Sequence, residues 1–169
     1  MLKRLEQSVW DFCMAYAKSP SVGSLLVLYG NNGVGKTHSA KAIFRWAGRA
    51  ASALPVVLDD AGHNKQPDAM YAHWPSFLDA LKGGDWERVK EAQCVSLLVL
   101  DEIGGGYDRS QIGVDKLCTI LTAREARWTI ITTNLLPDAW EEALERRVAS
   151  RMFRRAVHVD LSGVSDYSA

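Results

Sequence analysis

A three-layer α/β fold, with a parallel sheet covered by helices on both faces, is predicted by three observations. Short, almost wholly apolar runs (Leu25–Tyr29, Pro55–Leu58, Ser96–Leu100, Trp128–Thr132, Ala156–Leu161) alternate with segments whose apolar residues recur at helical spacing. Strands apolar on both sides belong to sheets buried on both faces, and strand–helix alternation makes such sheets parallel. Between the first strand and the next helix stands Gly30-Asn31-Asn32-Gly33-Val34-Gly35-Lys36-Thr37, a complete G-x-x-x-x-G-K-T loop. That loop requires a strand feeding it and a helix leaving it, and both are present.

In chain order, Leu2, Leu5, Val9, Phe12, Cys13 and Tyr16 fall close to helical spacing, and Lys18-Ser19-Pro20 ends this first helix. After the first strand and the glycine loop, Ala40, Ile43, Phe44 and Ala47 share one face of a helix over Thr37–Ala50. Pro55–Leu58 reads as the second strand, followed by a polar, irregular stretch from Asp59 to Pro67. Trp74–Leu81 is a short helix closed by Gly83-Gly84, and Asp85–Ala92 adds a turn or two more. Ser96–Leu100 is the third strand. The loop Gly104-Gly105-Gly106 then leads to a helix carrying Val114, Leu117, Cys118 and Leu121 on one face. Trp128–Thr132 is the fourth strand. Asp138 is placed to cap a helix over Ala139–Arg151, with Glu141 and Glu142 in its first turn. Ala156–Leu161 is the fifth strand. Without repeat or linker, the chain reads as one domain, with a helix in 1–22, a core in 23–161 and a short tail in 162–169.

Composition bounds this further. A chain of 169 residues, 47% hydrophobic and 24% charged, suits one domain with a substantial core. Twenty basic and 20 acidic side chains balance, so any nucleic-acid surface must be local. Cys13, Cys94 and Cys118 are odd in number and widely spaced, as expected of reduced core residues. Met1–Trp10 carries charge where a secretory signal is apolar, and no apolar run is long enough to span a bilayer. The expected compartment is the cytoplasm, with no membrane partner.

The chemistry begins at the glycine loop. Its backbone N–H groups and the N-terminus of the next helix converge on one anion site, and glycines let the backbone wrap a phosphate without a Cβ clash. Gly30, Asn31, Asn32, Gly33, Val34, Gly35, Lys36 and Thr37, with His38 following, are the candidate cradle. Lys36 is expected to reach the β- and γ-phosphates, and the Thr37 hydroxyl to hold Mg²⁺. The third strand runs into Asp101-Glu102 at the end that faces the ligand crevice of a parallel sheet. Asp101 suits the Mg²⁺ shell there, and Glu102 suits activation of a water for attack on the γ-phosphate. Asn134, just past the fourth strand, is either a turn residue or a ligand of that water or phosphate. Arg146, Arg147, Arg151, Arg154 and Arg155 cluster at the end of the last helix. They either relieve a helix C-terminus or contact phosphates, of a neighbour's nucleotide or of nucleic acid.

This order of motifs resembles the AAA+ ATPases of the DnaC/IstB group, helicase loaders and transposition helper ATPases. The residues that carry the likeness are the GKTH loop, the strand ending Asp101-Glu102-Ile103-Gly104, Thr132-Thr133-Asn134, and Glu145-Arg146-Arg147-Val148-Ala149-Ser150-Arg151-Met152. The likeness spans roughly Leu25 to Leu161. It implies a P-loop NTPase of AAA+ (ASCE) type, with a five-stranded parallel sheet ordered 5-1-4-3-2. ATP sites at subunit interfaces and assembly on single-stranded DNA come with it. By position, Gly30, Gly35, Lys36 and Thr37 match Walker A, Asp101 and Glu102 match Walker B, and Asn134 matches sensor 1. Arg151 matches the trans-acting arginine finger, with Arg147 as a substitute. The family's DNA-contacting insertion falls at roughly Gly62–Trp74, where Lys65, His73 and Trp74 offer a cation and a stacking surface. Two departures are noted. Only a short helix precedes the first strand in this sequence, as expected either of a fragment or of a minimal ATPase core without the N-terminal domain of many loaders. No sensor 2 Arg or helical lid is expected after the fifth strand.

The expected function is therefore an ATP- and Mg²⁺-dependent ATPase acting in DNA replication as a helicase-loader-like protein. Its expected partners are other copies of itself, single-stranded DNA, and a replicative helicase or transposase. A transposition helper ATPase and a small-molecule kinase are the alternatives. The paired acids, Asn134 and the lack of an evident Arg-bearing lid argue against the kinase.

Overall fold

The computed structural model of the chain describes residues 2–18, 23–50, 57–58, 64–65, 68–104, 111–154 and 156–164. Pro55, Val56, the stretches 59–63 and 66–67, Gly105, Gly106, Arg155 and the tail from 165 lie outside the described residues. So do the side chains of Leu2, Leu5, Val9 and Lys65.

Helix α1 (Leu2–Lys18) leads to β1 (Leu25–Tyr29) and α2 (Lys36–Ala50). The short strands β2 (Val57–Leu58) and β3 (Asn64–Lys65) come next, then β4 (Ala69–His73), α3 (Trp74–Lys82) and α4 (Glu87–Cys94). The chain continues through β5 (Leu97–Ile103), α5 (Gln111–Ala123) and β6 (Trp128–Thr133). A 3-10 turn (Pro137–Ala139), α6 (Trp140–Phe153) and β7 (Ala156–Asp160) complete it.

Five strands form one parallel sheet in the order β4-β5-β6-β1-β7. Numbered within this sheet, that is the expected 5-1-4-3-2 order read from the other edge. The second strand is not the expected one, however. Val57 and Leu58 pair antiparallel with Lys65 and Asn64 in a separate two-stranded ribbon, and Ala69–His73 takes the edge of the main sheet. The Ala-Met-Tyr-Ala-His stretch has little β propensity of its own; its place comes from pairing with β5. Asp68 pins the start of that pairing, accepting from the Ser96 backbone N–H at 2.9 Å and the Ser96 hydroxyl at 3.1 Å.

Alternation along the strands builds the two faces. Leu97 and Val99 point toward α1 and α2, whereas Leu98 and Leu100 point toward α3 to α6, and all four are fully buried. On the first side Phe12 and Tyr16 set their rings edge-on against Trp128, with centroids 5.0 and 5.9 Å away. On the second, Trp140 is fully buried, meets Tyr29 edge-on, and donates its indole N–H to the Leu135 carbonyl at 3.0 Å. The loop before β1 passes so close to the α5–β6 connection that a Cβ on Gly23 would fall 2.0 Å from the Arg127 carbonyl carbon.

Three smaller expectations change. Asp138 lies in the 3-10 turn, and α6 begins from Ala139 without a side-chain cap, so Asp138 does not cap it. Cys94 is exposed rather than a core residue, Cys13 is buried, and none of the three is in a disulfide. Helix α6 is broken at Glu145, whose backbone (φ 62°, ψ 153°) is far from helical. A buried cation that the sequence did not point to also holds the lower half of the fold. Arg124, 2% exposed, donates to the Ala92, Val95 and Trp128 carbonyls at 2.6–2.9 Å and to the Thr129 hydroxyl at 3.0 Å. No helix among the described residues is long and apolar enough to cross a membrane.

Candidate nucleotide-binding site

The site forms where β1, β5 and β6 end, the crevice side of a parallel sheet. Gly30, Gly33 and Gly35 all take positive φ values (136°, 78° and 91°), a path closed to most L residues. At Gly30 there is a second constraint: a Cβ would meet the Ser162 nitrogen at 2.7 Å and the Leu161 carbonyl carbon at 2.8 Å. The loop thus turns against the chain leaving β7, and the Asn31 side-chain amide donates to the Ser162 carbonyl at 3.3 Å. Asn32 and Gly33 are exposed and Val34 is buried, anchoring the loop to the core beneath. His38 is exposed in the first turn of α2.

Lys36 is 8% exposed and folds back into the loop, donating to the carbonyls of Gly30 (2.7 Å) and Asn31 (2.6 Å). Burial lowers the pKa of its ammonium, and the negative charges of Asp101 and Glu102 partly restore it. Thr37 turns its hydroxyl the other way, donating to Asp101 Oδ1 at 3.0 Å.

Asp101 is 2% exposed and collects three hydroxyl donors. Oδ1 takes Thr37 and Thr132 (2.5 Å), and Oδ2 takes Tyr71 of the edge strand. Thr132 also accepts from the Glu102 backbone N–H at 2.8 Å, so one β6 hydroxyl fixes both acidic residues. The register slips here: Leu100 pairs with Ile131 but Ile103 with Thr133, leaving one extra residue in β5. This is a bulge, and Glu102 within it takes φ 69°. The bulge turns Glu102 out of the buried ladder to the crevice surface. There its Oε2 meets His73 Nε2 at 2.8 Å, and His73 Nδ1 is held by the Ser76 hydroxyl at 2.9 Å. Asn134 follows β6 directly and is half-buried at the same end of the sheet.

Arg151 lies elsewhere. It lines a cleft of about 290 Å³ with Ser24 and Leu25 at the start of β1, Thr129 near the start of β6, Arg124, Arg127 and Arg154, and one acidic residue, Glu125, which forms no ion pair with it. That is the opposite end of the strands from the glycine loop, roughly 16 Å away along a five-residue strand. Its guanidinium donates to two neutral oxygens, the Thr122 hydroxyl (2.7 Å) and the Arg147 carbonyl (2.6 Å). Among the described residues no carboxylate pairs with it. Arg147 differs: it bonds the Asp115 carboxylate of α5, which does most to raise its pKa, and the Glu145 carboxylate at 2.9 Å, which adds to the rise.

The suggested nucleic-acid residues divide. Trp74 is 6% exposed and stacks on Phe77 within the core, so its ring offers no platform for a base. This corrects the expectation of a stacking surface at Trp74, because the start of α3 packs into the core rather than facing solvent. His73 is engaged with Glu102, and Lys65 lies in the separate β2–β3 ribbon. Tyr71 and Ser76 are site residues that the sequence did not point to, and Thr132, part of the Thr-Thr-Asn string, gains a role there as the hydroxyl that holds Asp101 and Glu102.

The ATPase family associated with various cellular activities (AAA) matches residues 26–156, most of the chain and every part of the crevice. The chain belongs to this family. Among solved structures, this ATPase core is similar to the DnaC helicase loader, at 21% identity and a TM-score of 0.74, covering 94% of this chain and 88% of that one. DnaI is similar at 21% identity and a TM-score of 0.67, covering 92% and 84%. The replication initiator DnaA bound to AMPPCP and single-stranded DNA is similar at 18% and 0.69, with 89% of this chain matching 44% of that one. At these identities the likeness is one of fold. No curated protein matches the chain by sequence.

ATP and Mg²⁺ fit the residues of this AAA core. A buried ammonium bonded only to carbonyls of its own loop can turn toward an incoming anion. The Thr37 hydroxyl hydrogen points at Asp101, which leaves its oxygen lone pairs for a cation.

Proposed function

We propose that the chain is an ATP-hydrolysing AAA+ protein acting in DNA replication in the manner of a helicase loader, and that it works as an oligomer on single-stranded DNA. The observation that carries this reading is the placement of Arg151. It is an arginine without a carboxylate partner among the described residues, at the end of the sheet remote from its own phosphate loop.

In this reading the Gly30–Thr37 loop holds the ATP phosphates and Lys36 neutralises the β- and γ-phosphate charge. Thr37 and Asp101 would hold Mg²⁺, which when bound neutralises charge on the same phosphate oxygens. Glu102 accepts a proton from a water that Asn134 helps to orient. The water oxygen bonds to the γ-phosphorus as the bond from that phosphorus to the β–γ bridging oxygen breaks, releasing ADP and phosphate. Arg151 of the next protomer stabilises the charge on the transferring group; Arg147, already neutralised by Asp115 and Glu145, is the poorer finger. Single-stranded DNA would run along the β2–β3 ribbon that carries Lys65, and a replicative helicase is the partner acted upon.

The test is ADP release across a protein dilution series, with and without single-stranded DNA, and with a panel of nucleosides. The expected result is specific activity that rises with protein concentration and with DNA. Stimulation by a nucleoside acceptor alone would replace this reading with a kinase.

A further inference from the structure

We infer that Tyr71 is a positioning residue for the metal-binding side of the site, acting by locking the Asp101 carboxylate in the orientation that couples Mg²⁺ to nucleotide. The inference rests on the ATPase reading above.

Asp101 is nearly fully buried, so its carboxylate takes its orientation from its donors rather than from water. Two of them, Thr37 and Thr132, bond to Oδ1. With only these, the group could swing about its last torsion and exchange one oxygen for the other. Tyr71 donates to Oδ2 from the neighbouring strand and closes that freedom. A phenolic hydroxyl that faces a carboxylate oxygen can only donate to it.

The ring is tied down as well. Phe44 lies against it at 5.8 Å between centroids and the Lys41 ammonium sits 5.5 Å from its centre, both from α2. Helix α2 is the element that begins with Lys36 and Thr37. Tyr71 thus bridges the helix that carries the metal-binding hydroxyl and the strand that carries the metal-binding acid. Its bond to Oδ2 keeps Oδ1 aimed at Thr37. Without it, a buried carboxylate oxygen loses a donor and the group turns away.

The test uses equilibrium binding rather than turnover. A fluorescent ATP analogue is titrated against the full chain in Mg²⁺ and in EDTA, and the ratio of the two dissociation constants gives the metal coupling. Tyr71→Phe removes one oxygen and keeps the ring packing, and its unfolding midpoint is measured alongside. The expected result is a coupling reduced about tenfold with EDTA affinity unchanged, the scale of a lost hydrogen bond to a charged group. In an Asp101→Asn background the same change should leave the coupling where it was, because Tyr71 acts through that carboxylate. An unchanged ratio in Tyr71→Phe, or an equal fall in both backgrounds, overturns the inference. If the unaltered chain binds no nucleotide in either buffer, the ATPase reading fails first and takes this one with it. Phe44→Leu loosens the ring but keeps the hydroxyl; if it abolished the coupling while Tyr71→Phe did not, packing rather than the hydrogen bond would be responsible.

Discussion

Replacing Gly30 by alanine separates the two demands that the phosphate loop makes on its first residue. Its φ of 136° lies outside the regions open to L residues, and an added Cβ would stand 2.7 and 2.8 Å from backbone atoms of Ser162 and Leu161. A residue forced into a sparsely populated region costs about 1–3 kcal/mol. Here the steric conflict is with backbone, which cannot rotate away as a side-chain tip would. The Leu161 N–H also donates to the Tyr29 carbonyl at 2.8 Å, so relieving the clash strains the β1–β7 pairing. We expect the loss of unfolding free energy and the loss of ATP binding free energy together to exceed about 2 kcal/mol. The division depends on whether the empty loop keeps its shape or relaxes and must be re-formed around the ligand. Urea unfolding gives the first part and calorimetric titration with ATP the second. Two other glycines serve as controls. At Gly35 a Cβ meets nothing within 4 Å but φ is 91°, so Gly35→Ala reports backbone strain alone. Gly48 is helical with open space around it, and Gly48→Ala should stabilise the fold by about 0.5–1 kcal/mol. If Gly30→Ala kept both stability and affinity within about 0.5 kcal/mol, the argument from loop geometry would be wrong.

Three further outcomes follow from named contacts. His73→Ala frees the Glu102 carboxylate from a donor and should raise basal ATP turnover about fivefold, whereas His73→Gln keeps a donor and should not; steady-state ADP release decides. Arg124→Met strips donors from the buried carbonyls of Ala92, Val95 and Trp128 and should cost about 3 kcal/mol or more in urea unfolding. Arg147→Ala should lower turnover far less than Arg151→Ala, because the Arg147 charge is already matched by Asp115 and Glu145.

The parts of the fold that sequence makes legible are those whose residues act locally. The glycine loop, the apolar third strand and the acids that end it carry their chemistry in consecutive positions, and the structure gathers them at one end of the sheet. The edge strand was not legible, because Ala69–His73 is a strand through its pairing with β5 rather than its own preferences. That one misplacement hid Tyr71 and the role of His73, and gave Trp74 to a DNA-contacting insertion when its ring is core. Arg124 was invisible for a related reason: most of its partners are backbone carbonyls, those of Ala92 and Val95 from a distant segment, which no side-chain pattern announces. The Glu102 bulge and the Glu145 break depart from strand and helix regularity without a glycine or proline to mark them.

An ATP site completed by the neighbouring molecule should let two inactive variants restore each other when mixed. Arg151→Ala keeps its own loop and acids but presents no finger, and Glu102→Gln presents a finger but cannot activate water. Each alone should turn over ATP about 10³-fold more slowly than the unaltered chain. Mixed in equal amounts, they should regain activity at roughly a quarter of the interfaces, those where a Glu102 site meets an Arg151 from the other variant. Activity in the mixture no greater than the mean of the two alone would contradict the account and leave Arg151 a structural residue of its own protomer.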